Sequence, residues 1–309
     1  MSEDMIIKIL NLALLLIVPF LMTGVIRKTK AFFGGRKGAS VFQPMYDFVK
    51  LLKKKSIYAN TTTWIFRISP IVTLACTVFA CLFIPIINGQ AILSIQGGLI
   101  IFAYALGLAK FISLLSAMEI ASSFEGMGSS REACFTTIIE PAFFVTIASI
   151  MAICKIYTFD SLTNIIQSSG TIGYLIILFA VLALGIMLLT EGCRVPVDDP
   201  TTHLELTMIH EVMILDNCSS ELAMISWGAY MKMFLLSCLI SNLILPTGSS
   251  LLASVGLILL SLFIISVLIG TIESAIARLR MTHVFEFVFV MSTFALVVAS
   301  LVAVKLYGV

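Results

Sequence analysis

Thr171–Thr190 reads TIGYLIILFAVLALGIMLLT, and Glu191–Glu211, which follows without a gap, reads EGCRVPVDDPTTHLELTMIHE. The first stretch is uncharged and has the length that an α-helix needs to cross a hydrocarbon core about 30 Å thick. No water is present at that depth to bond the backbone, so a helix that satisfies its own N–H and C=O groups is the expected form. Seven further runs share this character: Ile9–Ile26, Trp64–Ile87, Gly97–Met118, Glu132–Cys154, Ser226–Leu245, Leu251–Gly270 and Val284–Lys305. The alternation of a membrane barrel is absent. The expected fold is therefore all-α: a polytopic membrane protein with about eight transmembrane helices, in a single integral membrane domain over residues 1–309. Composition agrees, with 60% hydrophobic and 12% charged residues and a mean hydropathy of +1.10. A soluble domain has about 45–50% apolar and about 25% charged residues. A net charge of only +2 also argues against a nucleic-acid binder.

The connections between runs fall into two kinds. Residues 27–63 carry nine Lys/Arg, and the connections 119–131, 191–225 and 271–283 add Arg131, Arg194, Arg278 and Arg280. The opposite side has only Lys8, Lys155 and Lys305. The positive-inside rule then places these four connections in the cytoplasm and both termini outside. Basic residues follow the first apolar run rather than precede it, so it reads as a retained span and not a signal peptide. The seven cysteines show no C-x-x-C pair and no ligand-like spacing, which argues against a haem, iron–sulfur cluster or disulfide framework built by this chain.

Polar residues concentrate on the basic side. In Val41–Lys55, Tyr46, Phe48, Leu51 and Leu52 interleave with Lys50 and Lys53 at near-helical spacing, the pattern of an interfacial helix whose lysines meet anionic headgroups. Arg36, Gln43, Asp47 and Lys50 are candidates there for contact with a partner or cofactor. The connection 119–131 carries Glu125 and Arg131 among small residues and two glycines, which suit tight turns and close helix approach. Glu140 follows Glu132 by eight residues, roughly 12 Å deeper along a helix, and Pro141 comes next. A carboxylate at that depth costs about 2.5–3.5 kcal/mol to insert and is a functional candidate by default. Lys110 and Lys232 are the cations within spans that can pair with it.

The third connection is the densest. Glu191, Asp198, Asp199, Glu205, Glu211, Asp216 and Glu221 face only Arg194, His203 and His210 as groups that can be cationic. Carboxylates so close either spread into solvent or share protons. His210-Glu211 begins like the zincin H-E-x-x-H, but Ile214 stands where the second histidine is required, so no metalloprotease site is expected. His203 and His210, seven residues apart, are a weak ligand signal; they read as titrating members of the acid cluster, and no metal is expected. The last basic-side turn holds Glu273 and Arg278. No sequence feature designates a catalytic residue. The candidate proton path is Glu125, Glu132, Glu140, Glu191, Asp198, Asp199, Glu205 and Glu211. The candidate partner- or cofactor-facing residues are Arg36, Gln43, Asp47, Lys50, Arg131, Arg194, His203, His210, Glu273 and Arg278.

These residues resemble a known family: the membrane subunit, called subunit 1 in respiratory complex I, that complex I shares with the energy-converting membrane-bound nickel–iron hydrogenases. The resemblance spans essentially the whole chain. Arg36-Lys37-Gly38, Val41-Phe42-Gln43-Pro44 and Asp47-Phe48-Val49-Lys50-Leu51 are similar to its first-loop signature, Arg131 with Glu140 to its fourth-helix acid, and Arg194-Val195-Pro196-Val197-Asp198 to the opening of its acidic loop. Complex I members continue roughly D-L-x-E-x-E-x-E-L. Here Thr201 and His203 stand at two of those glutamates and Glu205 keeps the third, which counts against quinone binding and favours the hydrogenase branch, of the hydrogenase-4 and formate hydrogenlyase type. Glu273-Ser274 with Ala277-Arg278-Leu279-Arg280 also looks like that branch.

The resemblance implies a membrane anchor and proton-path subunit in the inner membrane. It implies nickel–iron and iron–sulfur centres in partner subunits, with none bound by this chain and quinone as the one cofactor left open. Its partners would be large and small subunits of a hydrogenase, iron–sulfur subunits and antiporter-like membrane subunits. The alternatives are the quinone-site subunit of an NADH:quinone oxidoreductase and a stand-alone ion transporter, against which the lack of an internal repeat speaks.

Overall fold

The computed structural model describes residues 3–59, 62–154, 158–159, 170–198, 208–245 and 250–307. Nine α-helices follow one another among them: α1 Glu3–Phe33, α2 Gln43–Leu52, α3 Trp64–Cys81, α4 Gly98–Glu119, α5 Ser123–Cys154, α6 Gly170–Glu191, α7 Ser219–Ile244, α8 Leu251–Ala275 and α9 Met281–Tyr307. All but α2 are long and apolar enough to cross a membrane, eight in number. No strand is present among the described residues.

α7 is the hub. It packs against α1, α2, α3, α6 and α8, while α3 pairs with α4 and α9 lies along α5 and α6. The reason is visible in its sequence: Met231, Phe234, Leu235, Cys238 and Leu239 are buried, and Ser237 and Ser241 are buried beside them. The buried hydroxyl of Ser237 donates to a carbonyl of its own helix, so it adds no unmet polar group to the core. On the outer helices the order is inverted: Leu252, Leu260, Phe263, Phe289 and Leu296 are exposed, the face expected toward lipid.

α2 is the interfacial helix expected from Val41–Lys55. Proline at its first turn supplies a fixed φ where no backbone donor is needed. Phe42, Tyr46, Val49 and Leu52 remain exposed, and Phe48 turns inward to meet Phe20 of α1 at a tilt and Trp227 of α7 edge-on.

Two expectations are corrected. The second span does not continue to Ile87; α3 stops at Cys81, and the chain through Pro85 is irregular yet buried, with Phe83, Ile84, Ile86 and Ile87 each at most 3% exposed. Irregular backbone at depth needs partners. Asn242 Nδ2 donates to the Pro85 carbonyl, Asn11 Nδ2 to that of Gln90, and the Leu93 N–H to that of Leu82. The connection 119–131 is also mostly helical: only Ile120–Ser122 separates α4 from α5. Gly126 and Gly128 thus lie within α5. Gly128 is needed because a Cβ there would collide with Val212 Cγ1 and stand 3.0 Å from the Ile209 carbonyl.

Candidate functional site: a buried row of charges beside a cavity

The connection after α6 folds back into the protein. Glu191 closes α6, Cys193 takes a left-handed conformation (φ +54°), and Arg194–Asp198 forms turns over the core. The chain is described again from Met208, and a 3₁₀ turn at Glu211–Ile214 leads to α7. Asp198, fully buried, ties the two limbs together. Its Oδ2 accepts the backbone N–H groups of Ile209 (3.1 Å) and His210 (3.0 Å), and its Oδ1 faces Arg278 Nη2 at 3.1 Å. Arg131 of α5 adds a second tie, donating from Nη1 to the Met208 carbonyl at 2.9 Å. Glu125, earlier on α5, accepts the Asp216 N–H at 3.0 Å.

From this clasp a row of charges leads inward. His210 Nε2 lies 3.1 Å from Glu132 Oε2, and its Nδ1 lies 3.6 Å from Asp198. Glu132 Oε1 is 3.0 Å from Lys110 Nζ, and the same ammonium donates to Glu191 Oε1. Glu191 Oε2 then faces Lys232 Nζ at 3.7 Å. Lys110 is nine residues from the end of α4, roughly 13 Å along the helix. The order is Arg278, Asp198, His210, Glu132, Lys110, Glu191, Lys232: carboxylates alternate with basic groups. Buried charges persist only when paired and hydrogen-bonded, and here each carboxylate has a basic neighbour on both sides. A second buried pair joins Arg194 Nη1 to Glu273 Oε1 at 3.2 Å, with Lys30 Nζ 3.5 Å from Glu273 Oε2.

Electrostatics at the clasp follow from this packing. Burial alone would raise Asp198, but the bonds and charge of His210, with Arg278 behind them, hold its carboxyl below the usual carboxylate range. Burial works against a charged imidazole at His210, yet the Glu132 and Asp198 carboxylates beside it hold it well above the ordinary histidine value. The Cys193 thiol is pushed up by burial.

Two cavities flank the row. The larger, of about 600 Å³, lies between α1, α2, α3, α4 and α7 and the connection after α6. Arg27, Asp47, Phe48, His210 and Tyr230 stand on its wall, as do Glu191 and Lys232. The smaller, of about 40 Å³, is bounded by Lys110, Glu140, Glu191, Lys232, Phe143 and Leu235. At the mouth of the larger, Arg27 Nη1 approaches Asp47 Oδ2 at 3.5 Å, and Gln43 Nε2 donates to Asp47 Oδ1 at 2.8 Å.

Of the candidate residues, Glu132, Glu191, Asp198, His210 and Arg278 meet in the row, and Glu140 sits half-buried on the small cavity. Lys50, Asp47, Arg194, Glu211 and Glu273 line the large cavity. Glu125 and Arg131 hold the returning limb. Arg36 is exposed in the turn after α1 and is not brought to either cavity. Asp199, His203 and Glu205 lie outside the described residues. Lys110, one of the two cations able to pair with Glu140 by sequence, is instead shared by Glu132 and Glu191. Sequence reasoning missed Arg27, Lys30, Cys193 and Tyr230, and reached Lys110 and Lys232 only as partners. A lone lysine inside an apolar run was the available signal for the last two. Among the described residues no cluster of three metal-ligating side chains occurs.

These features define a class: a multi-pass helical membrane protein with a buried charge network running beside a ligand-sized cavity. The family model described as NADH dehydrogenase matches residues 6–304, and the chain belongs to that family, the complex I subunit 1 type. Hydrogenase-4 component C of Escherichia coli (strain K12) is 27% identical over 274 residues, 86% of this chain and 85% of that protein. Formate hydrogenlyase subunit 4 of the same organism is 24% identical over 277 residues, covering 87% and 89%. NADH-ubiquinone oxidoreductase chain 1 of Triticum aestivum is 28% identical over 247 residues, covering 76% and 73%. A chain of the membrane-bound sulfane sulfur reductase, an archaeal respiratory membrane complex, shares the fold, with a TM-score of 0.81 at 20% identity over 97% of this chain and 100% of that one.

Proposed function

We propose that this chain is the membrane anchor and proton-path subunit of a multisubunit redox complex of the hydrogenase-4 and formate hydrogenlyase type. The observation that carries the reading is the unbroken row from Arg278 to Lys232, which begins on the basic side and ends at membrane depth beside Glu140. Lys110 couples its two carboxylates. A proton accepted by Glu132 weakens that carboxylate's attraction for the ammonium, which then pairs more fully with Glu191; loss of the proton reverses the shift. A redox event in a cytoplasmic partner that alters the clasp at Asp198 and His210 is thereby felt at Glu191 and Glu140. Nickel–iron and iron–sulfur centres belong to the large, small and iron–sulfur subunits of a partner hydrogenase, and protons pass onward to antiporter-like membrane subunits. The cytoplasmic (inner) membrane, with both termini outside, is the corresponding location.

A second reading rests on the large cavity. Its volume is that of a small-molecule site, and Tyr230, His210 and Arg194 on its wall could hydrogen-bond a quinone head beside Phe48. Mild-detergent purification of the tagged chain with mass spectrometry separates the two: co-purifying hydrogenase subunits support the first reading, and flavin- and NADH-binding subunits the second. Within the first reading, Glu140→Gln is expected to leave electron transfer running in the reconstituted complex while proton translocation falls to background. Translocation at the wild-type level would remove Glu140 from the path.

A further inference from the structure

We infer that Lys232 is the gate of this path, a movable cation that partitions the two cavities; the inference rests on the proton-path reading above. Glu191 and Lys232 are the two residues that stand on the walls of both cavities, whereas Lys110 and Glu140 face the small one alone. The two lysines are held differently. Lys110 has a carboxylate on each side and a side chain only 9% exposed. Lys232 has Glu191 at 3.7 Å, beyond hydrogen-bond length, and its side chain is 25% exposed. Across the small cavity lies Glu140, whose carboxylate has no cation within ion-pair distance among the described residues. The remaining wall is apolar, with Phe143, Met187, Leu235 and Leu236. Across the small cavity the titratable groups facing Lys232 are Glu191 from α6, Lys110 from α4 and Glu140 from α5, and on the large cavity it shares the wall with Arg27, Asp47, Arg194, His210, Glu211 and Glu273. A volume of about 40 Å³ accommodates roughly two or three waters, and a lysine stem has four rotatable bonds with which to cross it.

The cycle moves one proton in for one proton out. At rest the ammonium of Lys232 sits by the ionised Glu191, and Glu140 carries a proton. A proton reaching Glu191 from the Lys110 side neutralises that carboxylate and releases Lys232. The ammonium turns to Glu140, whose O–H bond breaks as the carboxylate forms, and that proton leaves toward the neighbouring membrane subunit. The proton on Glu191 then crosses the cavity water to Glu140, and Lys232 returns to the ionised Glu191. In the resting state the ammonium of Lys232 stands in the constriction and repels a hydrated proton that would otherwise run through it; the one crossing per cycle is drawn by the ionised Glu140 as Lys232 moves back.

The test is passive proton leak through the assembled complex in liposomes loaded with a pH-sensitive dye, after an acid pulse and with no electron donor. Lys232→Met is expected to speed the leak at least about tenfold, the scale of one charge removed at contact distance in a medium of intermediate dielectric. Lys232→Arg should stay as tight as the wild type, and Lys232→Gln replaces the methionine variant if that one fails to assemble. Glu191→Gln keeps the cation and should abolish driven translocation without opening the leak. A neutral variant at 232 that remains tight overturns the gate, and so does a leak that opens in Glu191→Gln. Wild-type translocation in Glu140→Gln would instead sink the path itself, leaving the two failures distinguishable.

Discussion

Replacing Asp198 with alanine should release the limb that carries His210. The side chain is fully buried, and one carboxylate oxygen accepts two backbone N–H groups while the other faces Arg278. Hydrogen bonds to a charged group contribute about 1.5–3 kcal/mol each. Losing both would lower the local opening free energy of the limb by roughly 3–6 kcal/mol, and the Ile209 and His210 N–H groups would be left without an acceptor. At about 1.4 kcal/mol per factor of ten, amide exchange in this segment should accelerate by roughly two to four orders of magnitude. Asp198→Asn keeps an oxygen acceptor for the two N–H groups but loses the charge that faces Arg278 and His210, so its acceleration should be at least about tenfold smaller than that of the alanine variant. Hydrogen-exchange mass spectrometry on peptides covering residues 208–217 reads both. Exchange in Asp198→Ala within about threefold of the wild type would refute the clasp. So would equal acceleration in the two variants, since the backbone bonds would then contribute nothing separate from the charge.

The same segment should respond to pH in two directions. His210 is held above its ordinary value, so its contribution is complete below about pH 6.5 and is lost as pH rises through the folded-state value. Asp198 is held below its ordinary value, so its contribution is complete above about pH 4 and is lost as pH falls through the folded-state value. Exchange of residues 208–217, corrected for its intrinsic pH dependence, should therefore be slowest at mildly acidic to neutral pH and rise toward alkali. A flat profile from about pH 5 to 10 would contradict the His210 assignment. At the other buried pair, Arg194→Met or Glu273→Gln alone should destabilise the folded chain by about 3–5 kcal/mol, and the double substitution should recover part of that loss. Denaturation of the four proteins in one detergent supplies the cycle; strict additivity would show that the 3.2 Å pair is not coupled.

The spans were legible because the bilayer imposes one simple demand, a run of apolar residues that bonds its own backbone. The exceptions are informative. The run through Leu82–Ile87 is as apolar as a helix and buried like one, but Pro85 and the amides of Asn11 and Asn242 turn it into irregular chain. The bonds that make this possible join residues 79 and 157 positions apart, beyond any local pattern. The Ser123–Glu132 segment was misread for the opposite reason. Its glycines suggested turns, whereas Gly128 serves a helix that another segment approaches closely. Acids of the site were visible as a cluster, because carboxylates beside a membrane are conspicuous. Their order was not, since it depends on which helices adjoin.

That order explains why the two lysines matter more than the acids alone suggested. A row made only of buried carboxylates would repel itself and could hold few charges at once. Lys110 and Lys232 let Glu132 and Glu191 be ionised at depth, and each proton arriving then changes the balance on a cation shared with the next acid. On the proposed path, a change at one end of such a row would be passed along by the displacement of ammonium groups over short distances, with no helix required to move. The tight, doubly held lysine comes first and the loosely held one second. That sequence suits a path whose entry must keep its register with the clasp at Asp198 and whose exit must open and close. On the proton-path reading proposed above, the row would run from the side on which partner subunits would dock toward the small cavity at Glu140.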